Sequence, residues 1–329
     1  MDGSLKTTYE QLLAWCRERD FAGHDPFDAL NSRLFQATPL ANSRNARLLW
    51  TQLVKRSPVD LRGVARVPAE HNPKGIALFA LAQLATHRRL QTEESETQAR
   101  NLLAMLLSSR VEGFSSAAWG YNFDWQSRNF FAPRGTPTVV PTAFAARAFI
   151  EAARQFTDDE YLNVARRVCD FLLRDLPRTV ETETELCLSY APNSNTRIFN
   201  ASLLAAETLA EVGQLTNDTS LCEHAIRGAR YVVNKQQPDG SWTYGTEPAQ
   251  SWIDSFHTAY ILFSLKRIIS ACALGAEFQQ ALQRGFRYWK KTFFLADGWP
   301  KYYHDDPYPA DAHAAASAIV TLLECRDVD

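Results

Sequence analysis

The stretch Pro141–Gln155, PTAFAARAFIEAARQ, reads as a helix crowded with small apolar side chains. Pro141 suits a first helical turn, where its missing N–H is no loss. Three later stretches are built alike: Asn200–Val212 (NASLLAAETLAEV), Ile253–Ile268 and Asp311–Glu324 (DAHAAASAIVTLLE). Between them run longer amphipathic stretches, Asp158–Leu176, about Leu221–Asn234 and Glu277–Thr292, and Asn72–His87 with Glu93–Leu107 looks like an earlier pair. Thr142, Asn200, His257 and His313 lie near the starts of the small helices, separated by 58, 57 and 56 residues. So regular a period indicates a repeated helical hairpin. Thr157-Asp-Asp-Glu160 reads as the capping box of an outer helix.

The links between these helices have two lengths. From a small helix to the next amphipathic one the link is short; the return link is long, aromatic and polar. This asymmetry predicts an all-α fold, an (α/α)6 toroid or six-hairpin barrel. Small helices form the inner ring, and the long aromatic and polar loops gather at one end. Helices near Thr8–Arg19 and Ser43–Arg56 bring the count to about twelve. Residues 1–329 are expected to form a single (α/α) barrel domain, with 1–60 as N-terminal helices closing the ring. The alternative is an open helical solenoid.

Composition narrows the function. A net charge of -2 gives no electrostatic case for nucleic acid or an anionic membrane. No run of about 18 apolar residues predicts an integral membrane segment. The first residues, MDGSLKTTYEQLLAWC, do not read as a signal peptide, and the six cysteines lack CxxC spacing. A cytoplasmic protein with reduced, buried thiols is the expectation. Aromatic residues reach 12% and cluster in the long links, as a platform for a ring-shaped ligand requires.

Trp119–Arg128, WGYNFDWQSR, is one such link. It alternates weakly like a strand and packs four aromatics, an acid, two amides and a guanidinium beside a long Ala-rich helix. It reads as one wall of a cavity at the ring's mouth, to which Trp119, Tyr121, Asn122, Trp125 and Arg128 contribute. His71-Asn-Pro-Lys74, Ser189–Asn200 (with Arg197), Pro238–Tyr244 running on to Trp252–His257, and Asp297–His304 running on to Asp311–His313 supply the other walls.

Asp124, Asp254 and Asp311 are candidate acids. A carboxylate pair across a cleft performs general acid and base work on a glycosidic bond, although Asp254 and Asp311 also stand where helix N-caps belong. His257 and His313 share a register in successive repeats, with His71 similarly placed earlier, and imidazole is suited to acid–base work near pH 7. Tyr302, Tyr303 and His304 join them. Arg128, Arg197, Asn122, Asn200, Lys74 and Trp242 would bind substrate, the guanidinium and amide groups holding a carboxylate. Arg128 and Arg197 could equally form ion pairs bracing the loops. Pro238-Asp-Gly-Ser-Trp242 reads first as a structural turn, a device repeated at Asp297-Gly-Trp299. No HExxH occurs, Cys222-Glu-His224 lies on an outer helix, and neither a metal nor a cofactor is expected.

The turn Gln237-Pro-Asp-Gly-Ser-Trp242 resembles those of (α/α) toroids, among them the squalene and terpenoid cyclases and several glycan-processing barrels. Cyclase chemistry does not follow, because neither a DxDD nor a DDxxD motif is present. Most of the chain is similar to a group of bacterial and archaeal proteins found with polysaccharide and glycan assembly genes. The resemblance is carried by HNPKG (71–75, a small departure from RNPKG), WGYNFDWQSR, TPTVVPT (136–142), FNASLL (199–204), QPDGSW, WIDSFHTAY (252–260), and DGWPKYY with YP and DAHAAA (297–316). It implies an (α/α)6 fold and work on a surface glycan or its precursor; it brings no catalytic residue with it.

These observations favour a carbohydrate-active enzyme of polysaccharide biosynthesis that acts on a hexuronate-bearing glycan or precursor. The expected chemistry is C5 proton abstraction of the epimerase type. Tyr302, Tyr303, His257 or His313 would move the proton. A glycoside hydrolase using Asp124 with Asp254 or Asp311, and a non-catalytic glycan-binding protein, are the alternatives. The expected partner is a saccharide carried on a polymer, lipid or nucleotide.

Overall fold

The computed structural model describes residues 3–113, 116–126 and 131–328. The chain is mostly helical and gathers into two compact units, Met1–Phe114 with Ala118–Phe156, and Ser115–Ala117 with Thr157–Asp329.

The first unit contains α1 (Gly3–Arg17), α2 (Arg33–Gln36), α3 (Arg44–Arg56), α4 (Arg62–Ala65), α5 (Pro73–Leu90), α6 (Glu93–Ser108) and α7 (Val139–Phe156). Ser43, Asn72 and Thr92 cap α3, α5 and α6 with their side chains. α5 and α6 form a hairpin, and α5 packs on α7. In α7 every residue from Val139 to Ile150 is buried, so this helix has no solvent face there. The weak alternation of WGYNFDWQSR becomes a two-residue strand, β1 (Trp125–Gln126), antiparallel to β2 (Phe131–Ala132). The link before α7 meets the loops before α2 and α5: Asn31 donates to the Asn122 carbonyl, and Arg134 Nη1 reaches both oxygens of Glu70 at 2.9 Å.

The second unit contains α8 (Asp159–Asp170), β3 (Arg178–Glu181), β4 (Leu186–Leu188), α9 (Phe199–Thr216), α10 (Thr219–Val233), α11 (Ser255–Ala271), α12 (Ala276–Thr292) and α13 (Ala312–Glu324). The two helix types differ in burial as the pattern requires. In α9 every residue from Phe199 to Gly213 is buried. α12 buries Phe278, Ala281, Leu282, Gly285, Phe286 and Trp289, one stripe at helical spacing. α9 pairs with α10, α11 with α12, and α11 packs on both α9 and α13.

Four details depart from the sequence reading. The cap of α8 is Asp158, whose Oδ1 accepts from Glu160 N, while Thr157 before it lies in the left-handed region at φ 50°. The stretch after Asp170 continues to Asp175 as a wider π turn rather than an α-helix. β3 and β4 form a hairpin inside a link that reads as irregular. α13 buries only Ala314, Ser317, Ala318 and Thr321, leaving Ile319 and Leu323 about three-fifths exposed (62% and 61%), because only one face of it packs on α11.

The long links before α9, α11 and α13 are stitched side by side at the N-terminal ends of these helices. Phe199 N donates to Tyr244 O, Tyr244 N to Trp252 O, and Ser255 N to Tyr302 O. Within the second unit the long links therefore gather at one end. Among the described residues no helix is long and apolar enough to cross a membrane.

Candidate active site

The second unit brings the richest constellation together at the start of α11. Asp254 is 2% exposed. Its Oδ1 accepts from His257 N at 2.9 Å, the N-cap bond of α11. Its Oδ2 accepts from His257 Nδ1 at 2.6 Å and from Trp252 Nε1 at 3.0 Å. The carboxylate thus holds three donors from its own segment. Neither of its oxygens is left without a donor. It also fixes the imidazole: with Nδ1 donating to Asp254, the His257 lone pair lies on Nε2.

One repeat later, His313 occupies the first turn of α13, and its Nε2 is 2.6 Å from the Tyr260 hydroxyl of α11. The half-buried ring of Phe256 lies against both imidazoles, with centroids 3.9 Å from His257 and 4.6 Å from His313. Tyr244 packs on His257 at 4.6 Å and Tyr302 meets Phe256 edge-on at 5.9 Å. Burial, then the nearby charge of Asp254, pushes the Tyr302 hydroxyl well above the usual tyrosine range. Tyr302 is therefore a neutral hydroxyl near pH 7. Tyr303 lies against Tyr302 at 4.6 Å. His304 and its backbone are bound to the Ile253 carbonyl. Asp311 caps α13 by accepting from Ala314 N at 2.9 Å. Asn200 sits buried in the first turn of α9, its Oδ1 without a hydrogen-bond partner among the described residues.

Other predicted residues lie elsewhere. Arg197 is exposed and donates to the Thr179 carbonyl on β3, so it braces a strand. Trp242 is 1% exposed; its Nε1 donates to the Val232 carbonyl and its ring presses on Gly285 of α12. It is a core residue and offers no ring face to a sugar. The turn that inserts it needs Gly240, at φ +95°, where a Cβ would stand 2.6 Å from the Arg284 carbonyl. The second turn, with Gly298 at φ +85°, leaves Trp299 half exposed (52%) rather than inserted.

In the first unit Trp119 is fully buried, with Nε1 donating to the Leu106 carbonyl, so it too is core rather than binding surface. Tyr121 stacks on Phe123 and meets Trp125 edge-on. Asp124 Oδ1 accepts from Arg134 N at 2.7 Å, closing the loop around β2. His71 is held to the Asp20 carbonyl at 2.7 Å, and Lys74 lies over the Phe144 ring at 5.1 Å. Asn122 gives its carbonyl to Asn31. Arg128 lies outside the described residues.

Sequence reasoning placed Tyr244, Trp252 and Phe256 in the cavity walls without giving them a role of their own, and passed over Tyr260. The motif WIDSFHTAY carries three of them at -5, -1 and +3 from His257, and the +3 position shares a helix face with the imidazole.

No protein-family model matches the chain, and no curated protein matches it in sequence. Solved structures do match. Cellobiose 2-epimerase from Bacillus thermoamylovorans B4167 superposes with a TM-score of 0.61 at 15% identity, over 93% of this chain and 88% of that one. A D-mannose isomerase gives 0.58 at 12% identity, over 93% and 87%. A GH76 α-mannanase from Bacteroides thetaiotaomicron gives 0.57 at 12% identity, over 79% and 70%. At these identities the likeness establishes the fold: the chain is all-α and of the (α/α)6 toroid class.

Proposed function

We propose that the protein is a carbohydrate-active enzyme of the epimerase or isomerase type, which moves a proton on and off a sugar carbon next to a carbonyl or carboxyl group. The observation that carries this reading is the pair His257 and His313. They stand on α11 and α13, which pack together, each fixed by a partner at 2.6 Å, with Phe256 against both. One imidazole takes the proton and the other returns it, while neutral Tyr302 stands ready to donate a hydrogen bond to the oxygen that gains charge. Such proton transfer contributes about 10²- to 10⁴-fold in rate. The names of the structural neighbours support the class: two cellobiose 2-epimerases and a mannose isomerase share the fold.

A hexuronate-bearing glycan of polysaccharide biosynthesis is the finer reading. The carboxylate of a uronate acidifies its C5 proton, which is the chemistry two imidazoles serve. Arg197 is bound to Thr179, so a uronate would be held by donors other than that guanidinium. Glycosidic cleavage is disfavoured, because Asp254 and Asp311 are both committed as caps and Asp124 is bound to Arg134 N.

The test is proton exchange in D₂O, followed by NMR, with cellobiose, mannose and oligosaccharides containing glucuronate or galacturonate. Deuterium entering at C2 of a neutral sugar or C5 of a uronate, lost in His257→Ala and His313→Ala, is the expected result. New reducing ends without exchange would overturn it in favour of hydrolysis.

A further inference from the structure

Trp252 is 36% exposed, yet it is held firmly. One face stacks on Tyr244, with centroids 4.5 Å apart and planes 16° from parallel. Its Nε1 donates to Asp254 Oδ2, the same oxygen that receives His257 Nδ1. The backbone around it is bound as well, since Tyr244 N donates to the Trp252 carbonyl. The indole therefore has one face and its polar edge committed, while the residue keeps about a third of its surface in solvent, joined to His257 through Asp254 Oδ2. A large aromatic fixed before any ligand arrives loses little entropy on binding. Its π face attracts the weakly positive C–H bonds of a pyranose.

We infer that Trp252 is the platform on which a pyranose ring stacks, and that Asp254 is a positioning residue that locks this platform to the His257 imidazole. One carboxylate oxygen sets both the plane of the sugar and the direction of Nε2. A sugar lying on the indole is thereby presented to the lone pair of His257 at a fixed angle. The substrate class is a pyranose with an uninterrupted C–H face, as in gluco-configured hexoses and their uronates; a furanose lacks such a face. The platform requires only that a saccharide binds, whereas the positioning role rests on the proton-transfer reading above.

Two readouts separate the parts. Saturation-transfer NMR with cellobiose and a glucuronate disaccharide as probes measures the platform. In the wild type, saturation is expected on the C–H protons of one ring face. Binding should weaken about tenfold in Trp252→Ala and less in Trp252→Phe, which keeps the stack on Tyr244. Circular dichroism establishes that both variants fold. For the positioning role, ¹⁵N shifts of His257 should report the Nδ1–H tautomer in the wild type and a mixture in Asp254→Asn. That variant should retain probe binding and lose about 100-fold in exchange rate. Unchanged binding in Trp252→Ala, or no binding of either probe to the wild type, overturns the platform. An unchanged His257 tautomer in Asp254→Asn overturns the positioning role. Weakened binding in Trp252→Ala, with no deuterium exchange in the wild type, upholds the platform and sinks the proton-transfer reading.

Discussion

At the scale of single residues, three tryptophans of the long links have three different environments. Trp242 is sealed against Gly285, Trp299 is half exposed, and Trp252 is stacked on one face and open beyond it. Trp242→Ala is expected to lower stability by about 3–5 kcal/mol, because it empties a core site. Trp299→Ala should stay within about 0.5 kcal/mol. Urea denaturation of both variants checks the contrast; equal losses would mean that exposure does not separate them. The candidate acids divide in the same way. Asp254 and Asp311 were legible as caps from their place before a small helix, and the structure keeps them as caps. What sequence could not show is that Asp254 has a second oxygen, shared between an indole and an imidazole. That sharing joins residues two and three positions away through side-chain rotamers, which a linear pattern does not encode.

At the scale of elements, α11 is tied to its neighbours at both ends. Its N-terminal turn carries Asp254 and His257. One turn from its C-terminus, Arg267 meets Glu324 of α13 at 2.6 Å, with Glu207 and Glu211 of α9 at 3.4 and 3.6 Å. Glu207 and Glu211 are 3% and 6% exposed, so these charges are largely out of water. The acids hold the Arg267 guanidinium firmly protonated, overcoming the opposing effect of burial. Removing the guanidinium would strip these buried carboxylates of its compensating charge. Arg267→Ala is thus expected to destabilise the fold by about 3–5 kcal/mol, while Arg230→Ala, at the exposed pair with Glu277, should cost about 1 kcal/mol or less. Thermal unfolding would reveal the difference, and a small loss at Arg267 would show that water reaches the cluster. Helix type and order were legible for the later hairpins, since small apolar and amphipathic stretches follow different patterns. Two features escaped that reading. The β3–β4 hairpin is short and its residues alternate poorly; the exposed face of α13 reads as apolar as the buried helices do, because hydropathy does not say which face finds a partner.

At the scale of the whole molecule, the thiols report on the integrity of both units. Burial raises the pKa of Cys16, Cys169 and Cys187, and pushes that of Cys325 up to about 12. A raised thiol pKa means that the reactive thiolate is scarce at mildly alkaline pH in the folded state and appears on unfolding. Alkylation by iodoacetamide should therefore leave these four untouched in the native protein and reach all six cysteines in concentrated urea, read by mass spectrometry. Fast labelling of Cys169 or Cys325 in the native state would contradict the buried placement. The sequence by itself determined the helical class and the toroid: a period of 58, 57 and 56 residues, and links of two lengths, leave few other ways to bury so many small apolar faces. It also placed His257 and His313 in one register. Only the tertiary structure decided which polar residues share a site. Tyr244, Phe256 and Tyr260 lie against the two imidazoles, while Arg197 turns to a strand and Trp119 and Trp242 sink into the core. The physical reason is that helix and loop patterns follow from local preference and hydropathy, whereas a hydrogen bond such as Tyr260 to His313 needs two packed helices to bring its ends together.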